Sequence, residues 1–460
     1  MPAVGRPVYI LGVGMTKFAK PQAKNDYVDM GFEAGIKALL DAHITYDDVE
    51  QGVASYCYGD STCGQRVFYQ FGMTQIPIYN VNNNCASGST AMVMARDAVR
   101  YGAADCVLAV GFEKMAAGSL GSKFNDRTDP LDRAAAMSRA LSPANSTAPF
   151  AAQLFGNAAD EYINKFGASP KDFAEIARVN HEHSQRNPYA QFRTEYSEEQ
   201  VLGSPNIFGV LTKLQCCPTS DGAAAAVVVS QSFLDARPHL KPQAVEITGQ
   251  SLATDSPALY GNSALSLVGY ELVRHTAKQA FSQARTNARE VKVVELHDCF
   301  STNEMLVIDS LGLSPRGKAH EYVRDGSITY GTGHALVNPS GGLISKGHPL
   351  GATGIAQCAE LVWHLRGWAN NRLVNVPAGK VALQQNAGLG GACVVTILRR
   401  ADGQGNEKVT DAEVGKLTGL GYNPAVEARG FTVKQADSVR SRSRHDWALG
   451  KGKGYGQARV

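Results

Sequence analysis

Two kinds of stretch alternate along the chain: short continuous apolar runs, and longer ones in which apolar residues recur every third or fourth position. Val8 to Val13 is of the first kind and predicts a buried strand; Val28 to Leu40, after a polar loop, predicts a helix. Ile76 to Val81 is a further apolar run, and Ala91, Met94, Ala95 and Ala98 recur at helical spacing in the run Ala91 to Arg100. Cys106 to Gly111 is apolar throughout, the pattern of a strand covered on both faces. Between Lys114 and about Thr219 the pattern loosens. Phe124 to Pro149 is polar and irregular there, while Leu154 to Phe166 and Pro170 to Gln185 predict helices. The sheet pattern resumes at Ala223 to Val229, so the loose stretch reads as an insertion of the kind that forms binding loops or lids. His181 and His183 within it are two apart and project from different faces, which predicts solvated helix positions and no shared metal.

The second half repeats the alternation. Ala244 to Thr248 and Val291 to Leu296 predict strands, and Tyr270 to Ala284 and Thr302 to Leu311 predict helices. A long helix runs to about Arg366, and Val381 to Gln385 leads into the glycine-rich bend Asn386 to Ala392, whose backbone N–H groups are unobstructed and able to bind a developing negative charge. Such alternation favours a layered α/β fold. Beyond Arg400 the periodicity fades. From Gly430 onward Lys434, Arg440, Arg442, Arg444, Lys451, Lys453 and Arg459 face only Asp437 and Asp446, which predicts a poorly packed surface tail.

Composition narrows the class. The 460 residues, 44% of them hydrophobic, suffice for two or three domain-sized cores. A net charge of +3 is too near balance for a nucleic-acid surface. Nine cysteines without regular spacing or a CxxC pair argue against a disulfide framework or a structural zinc, and for a reducing, intracellular setting. No apolar run approaches the roughly 18 residues of a membrane span, and no signal peptide precedes the first strand. The ending Ala458-Arg459-Val460 has the order of a peroxisomal address without its usual residues, and reads as an ordinary terminus. Neither a GxGxxG after the first strand nor a GxxxxGK[ST] is present, so no nucleotide cradle is expected.

The candidate chemistry begins at Asn82-Asn83-Asn84-Cys85-Ala86-Ser87-Gly88-Ser89-Thr90. Small residues after Cys85 allow a helix to start tightly, and a sulfur at a helix N-terminus is favoured as thiolate. Far downstream, with His348 laid beneath Cys85, Gly351 falls under Gly88 and Thr353 under Thr90, and both segments run into an amphipathic helix. The chain therefore reads as one unit present twice, and packing about a local two-fold axis would bring the cysteine and the histidine together. A third candidate segment, His297-Asp298-Cys299-Phe300, follows the predicted strand Val291 to Leu296, at the end that faces the ligand crevice in open α/β sheets. Cys57, Cys63, Cys106, Cys216, Cys217, Cys358 and Cys393 read as packing residues.

The Cys85 helix start, the run Asn338-Pro339-Ser340-Gly341-Gly342 with Gly347-His348-Pro349-Leu350-Gly351-Ala352-Thr353-Gly354, and the glycine-rich segment before a last strand resemble the thiolase superfamily over about residues 8 to 400. The resemblance implies an α/β thiolase fold: duplicated βαβαβαββ halves in a five-layer αβαβα sandwich with an inserted loop domain. The halves would be residues 1–113 plus 220–240 and residues 241–400, with 114–219 as the loop domain that covers coenzyme A and 401–460 as a tail. Most thiolases carry Asn-Glu-Ala-Phe where this chain has His297-Asp298-Cys299-Phe300, and Cys-x-Gly where it has Asn386-Ala387-Gly388. The HDCF sequence is similar to that of the sterol carrier protein type of thiolase; the 60 residues 401–460 are too few for the usual carrier domain, so the resemblance implies the stand-alone form.

That resemblance implies thiolytic cleavage of 3-ketoacyl-CoA, with coenzyme A as substrate and no permanently bound cofactor or metal. Cys85 would be the nucleophile, His348 the group that polarises or deprotonates it, and Cys299 the proton-transfer group in place of the missing cysteine. The N–H groups of Cys85 and Gly388 would form one oxyanion site, and His348 with His297, directly or through water, the other. A structural thiol at Cys299 and a loop-ordering His297 remain alternatives. So do acetoacetyl-CoA thiolase activity in the condensing direction, and a lipid-binding protein that kept the fold without the activity. A homodimer, and a peroxisome-like organelle or mitochondrion, are also implied by resemblance.

Overall fold

The computed structural model describes residues 5–22, 26–116, 124, 126–142 and 147–448. The first unit runs β1 (Val8–Met15), α1 (Tyr27–Asp41), β2 (Gln51–Ser55), α2 (Cys63–Phe68), β3 (Ile78–Val81), α3 (Ser87–Arg100) and β4 (Cys106–Glu113). The insertion follows, with α4 (Asp132–Leu141), α5 (Phe150–Phe166) and α6 (Pro170–Gln185), and β5 (Gly222–Ser230) closes the unit. The second unit repeats the order as β6 (Val245–Ala253), α7 (Tyr270–Ala284), β7 (Val291–Glu295), α8 (Ser301–Ser310), β8 (Leu336–Val337), α9 (Leu350–Leu365), β9 (Val381–Gly388) and β10 (Ala392–Arg400). Both units are βαβαβαββ, as the resemblance implied.

The strand order is β3-β2-β4-β5-β1 in one unit and β8-β7-β9-β10-β6 in the other, the same topology twice. The two sheets meet edge to edge through only Tyr9↔Glu246 and Ile10↔Val245. Between them lie α3 and α9, while α1 and α7 cover the outer faces, which makes five layers. As a middle layer α9 has no solvent side, and every one of its residues is buried. Glycine lets the two central helices approach at backbone distance: a Cβ on Gly88 would sit 2.9 Å from Gly351 O, and one on Gly354 would sit 2.4 Å from Ser89 N. The turns ahead of both helices thus open at one end of the molecule.

Three expectations need correction. Phe124 to Pro149 is not irregular throughout, since it contains α4. Four of its ten residues are alanine and Met137 and Leu141 are its only larger apolar side chains, so a short helix that is polar on balance, between polar flanks, offers few apolar positions from which to read a helix. His181 and His183 are buried, because α6 is packed on more than one side: the His181 ring bonds Leu214 O and Ser345 Oγ, and the His183 ring bonds Asn338 O and Thr329 Oγ1. The tail is partly packed: Lys434, Arg442 and Arg444 are exposed as expected, while Arg440 is buried and several apolar residues of 401–448 join the core. Val414 and Ala425 join the cluster around Trp363 and Trp368, and Ala436 and Val439 join that around Phe71. Asn423 Nδ2 donates to Trp368 O, Arg440 Nε to Gln70 O, and Ser441 N to Phe71 O. Val414 lies in a seven-residue helix, Asp411–Leu417, and Ala436 and Val439 in another, Val433–Val439; each is too short, and buries too few residues, to show a hydrophobic period. Lys451, Lys453, Arg459 and the terminal Ala458-Arg459-Val460 lie outside the described residues. Among the described residues no helix is long and apolar enough to cross a membrane.

Candidate active site

Three segments meet where the central helices begin. β3 leads into the turn that carries Cys85, two residues ahead of α3; β7 leads into His297-Asp298-Cys299; and the turn before α9 carries His348. Residues 216–219 of the insertion lie across the last two, through bridges from Thr219 to His348 and from Cys216 to Phe300. Cys85 Sγ and one ring nitrogen each of His297 and His348 all lie within 4.8 Å of one another. The imidazole rings stand perpendicular, at 86°, with centroids 5.1 Å apart.

Hydrogen bonds fix both tautomers. Thr353 Oγ1 donates to Pro349 O, so it accepts from His348 Nδ1–H at 2.7 Å. His348 Nε2 is then a lone pair, buried and without a hydrogen-bond partner. On the other ring, Asn386 Oδ1 accepts from Ser89 Oγ, which orients the amide so that its Nδ2 donates to His297 Nδ1 at 2.8 Å. Ser89 Oγ itself accepts from Gln384 Nε2. His297 therefore carries its proton on Nε2. One imidazole presents an acceptor and the other a donor.

Burial sets the charge states. It pushes the Cys85 thiol up to about 12, with Glu113 adding to the rise and the residue's own N–H partly opposing it. The thiolate expected from the helix start is not the resting form, because desolvation outweighs the helix end. Burial lowers His297 to about 3 and drives His348 far below the usual imidazole range, with His297 adding to the latter. Cys299 is likewise held well above the ordinary thiol range by burial, with Cys217 and Cys85 contributing.

All four residues line one cavity of about 1820 Å³, together with Gly388. β9 ends against the Cys85 turn so closely that a Cβ on Gly388 would lie 2.3 Å from Asn83 O, a site only glycine fits. Apolar side chains of Leu131 just ahead of α4, of α5 and of the segment 257–273 form much of the wall, among them Phe150, Phe155, Leu259, Leu267 and Leu272. Exposed Lys20, Arg139 and Lys213 also border it. Cys216 and Cys217, read from sequence as packing residues, line this cavity too, and Cys217 N donates to Cys299 O at 2.9 Å. Sequence reasoning missed Thr353 and Asn386 as ring-orienting partners. The match of Thr353 to Thr90 was the available signal: Thr90 Oγ1 accepts from Asn83 Nδ2 in the other turn.

Comparison with known proteins now bears on this arrangement. Residues 8–202 match the family described as Thiolase, N-terminal domain, and residues 260–400 match Thiolase C-terminal domain-like. The chain belongs to the thiolase family. Sterol carrier protein 2 of Gallus gallus is 53% identical over 395 residues, 85% of this thiolase and 71% of that protein. Acetyl-CoA acetyltransferase of Methanothermobacter thermautotrophicus is 33% identical over 409 residues, 86% of this chain and 100% of that one. The structure of human mitochondrial 3-ketoacyl-CoA thiolase in complex with CoA has the same fold, with a TM-score of 0.64 at 19% identity over 86% of this chain and 98% of that chain.

Proposed function

We propose that this thiolase cleaves 3-ketoacyl-CoA with coenzyme A, releasing acetyl-CoA or propionyl-CoA and a shortened acyl-CoA. The observation that carries the proposal is the unpartnered Nε2 lone pair of His348 beside a protonated Cys85. Cys85 Sγ attacks the 3-keto carbon as its proton passes to His348 Nε2, and the N–H groups of Cys85 and Gly388 receive the oxyanion. Collapse breaks the C2–C3 bond. The enolate oxygen is met by His297 Nε2–H and the newly protonated His348, and Cys299 delivers a proton to the enolate carbon. Coenzyme A then gives its thiol proton to the Cys299 thiolate and attacks the acyl-cysteine, and His348 returns the first proton to Cys85. In the opposite direction the same groups condense two acyl-CoA molecules.

The cavity volume, large beside the usual 300–1,000 Å³ of small-molecule sites, suits medium, long or branched acyl groups. It also supports a second reading, a lipid carrier without turnover, in keeping with the name of the Gallus gallus relative. A thiolysis assay with acetoacetyl-CoA and a long-chain 3-ketoacyl-CoA separates them. Coenzyme A-dependent loss of the ketoacyl absorbance, abolished by Cys85→Ala and strongly reduced by Cys299→Ala, is the expected result. Full activity in Cys299→Ala refutes its role, and tight lipid binding without turnover at any chain length favours the carrier.

A further inference from the structure

The geometry points to Asp298 as a positioning residue that holds the His348 turn against Cys85. Its carboxylate is wholly buried between His297 and Cys299, yet it faces a different segment. Oδ1 accepts Leu343 N–H at 2.6 Å and Oδ2 accepts Ile344 N–H at 3.1 Å. Both amides belong to the tight turn Gly342–Lys346, one residue before Gly347-His348. Nothing larger than glycine fits beside the carboxylate: a Cβ on Gly342 would lie 2.1 Å from Asp298 Oδ2. Asn180 Nδ2 donates to Asp298 Oδ2 and to Glu304 Oε2, and Asn338 Nδ2 donates to that same Glu304 oxygen. The network thus grips the loop at its start, Asn338, and at its middle. Downstream, His348 N donates to Ser220 Oγ. One three-residue segment therefore carries an oxyanion donor, the anchor of the base-bearing turn and the proton-transfer thiol.

The consequence for turnover rests on the thiolysis reading, whereas the positioning itself does not, so the test uses a substrate-free readout. Cys85 is alkylated with iodoacetamide at fixed pH, and its peptide is quantified by mass spectrometry in wild type, Asp298→Asn, His348→Ala and the double variant. Asparagine at 298 turns an amide donor toward one of the loop N–H groups, so the turn and its imidazole shift. Asp298→Asn is expected to slow labelling about as much as His348→Ala does, and to add nothing in the His348→Ala background. Equal slowing in both backgrounds, or no slowing, overturns the proposal. Gly342→Ala presses on the same carboxylate from the loop side and is read in the same cycle should Asp298→Asn not fold. In thiolysis, kcat is expected to fall at least tenfold with KM for coenzyme A within twofold. A non-additive labelling cycle in a chain without turnover would refute the thiolysis reading and leave the positioning intact.

Discussion

Replacing Thr353 by valine tests the tautomer argument with little change of shape. The hydroxyl is 1% exposed and is the acceptor for His348 Nδ1–H. Without it that N–H is buried and unpaired, a loss of about 1–3 kcal/mol. The ring escapes this cost by moving its proton to Nε2, where it faces Cys85 and can no longer accept the thiol proton. At about 1.4 kcal/mol per tenfold, a preference of about 2 kcal/mol for the wrong tautomer leaves a few per cent of molecules competent. Thr353→Val is therefore expected to lower kcat/KM for thiolysis by about 10- to 100-fold. Thr353→Ser, which keeps the acceptor, should retain most of the activity, and a thermal melt checks that both variants are folded. A valine variant within twofold of wild type, or a serine variant as impaired as the valine one, would refute the reasoning.

With His348 replaced by alanine, alkylation of Cys85 should rise about tenfold per pH unit between pH 7 and 10, because a thiol held near 12 is protonated throughout that range and no imidazole is left to take its proton; a plateau above pH 7 in that variant would show a thiolate already present. Asn386→Leu removes the donor to His297 Nδ1 and frees that ring to take either tautomer. Steady-state kinetics should show a fall in kcat of about tenfold or more, in line with the loss of an oriented oxyanion donor. Arg372→Met removes the guanidinium that meets the buried Glu360 carboxylate at 2.6 Å and leaves it Lys346, at 4.0 Å, and the Asn187 amide; urea unfolding should show about 3 kcal/mol of lost stability, the low end for a broken buried pair.

The alternation of strand and helix was legible because a two-sided buried strand and an amphipathic helix differ in period. The predicted helices at Tyr270 to Ala284 and Pro170 to Gln185 are found with those bounds. α4 was not legible, since it is short, polar on balance and has only Met137 and Leu141 as larger apolar side chains, and the packing within residues 401–448 was not, since its seven-residue helices bury one or two residues each and the rest is held by bonds to Trp368 and Phe71. At the site, the matched spacing of Gly88 with Gly351 revealed a repeated unit, and that contact is the one that brings Cys85 to His348. The direction of the Asn386 amide, and with it the donor face of His297, follows from a bond to Ser89 across the molecule, which no local pattern encodes. The thiolate expectation failed for a related reason: position at a helix start is visible in sequence, and desolvation is not.

That failure has a functional consequence. Cys85, His297, Cys299 and His348 are all uncharged at neutral pH, each held so by burial. An ion pair between Cys85 and His348 is costly to form in such a site unless something else gains, and in the proposed thiolysis the substrate carbonyl would be what gains, because its oxygen would become the anion received by the Cys85 and Gly388 N–H groups. On that proposal nucleophilicity would develop with the substrate in place rather than before it. Oxidation requires thiolate character, so the same device protects a cluster in which Cys85, Cys217 and Cys299 share one cavity wall. A resting thiolate at Cys85 would put an oxidisable sulfur beside two others; a thiol held near 12 does not.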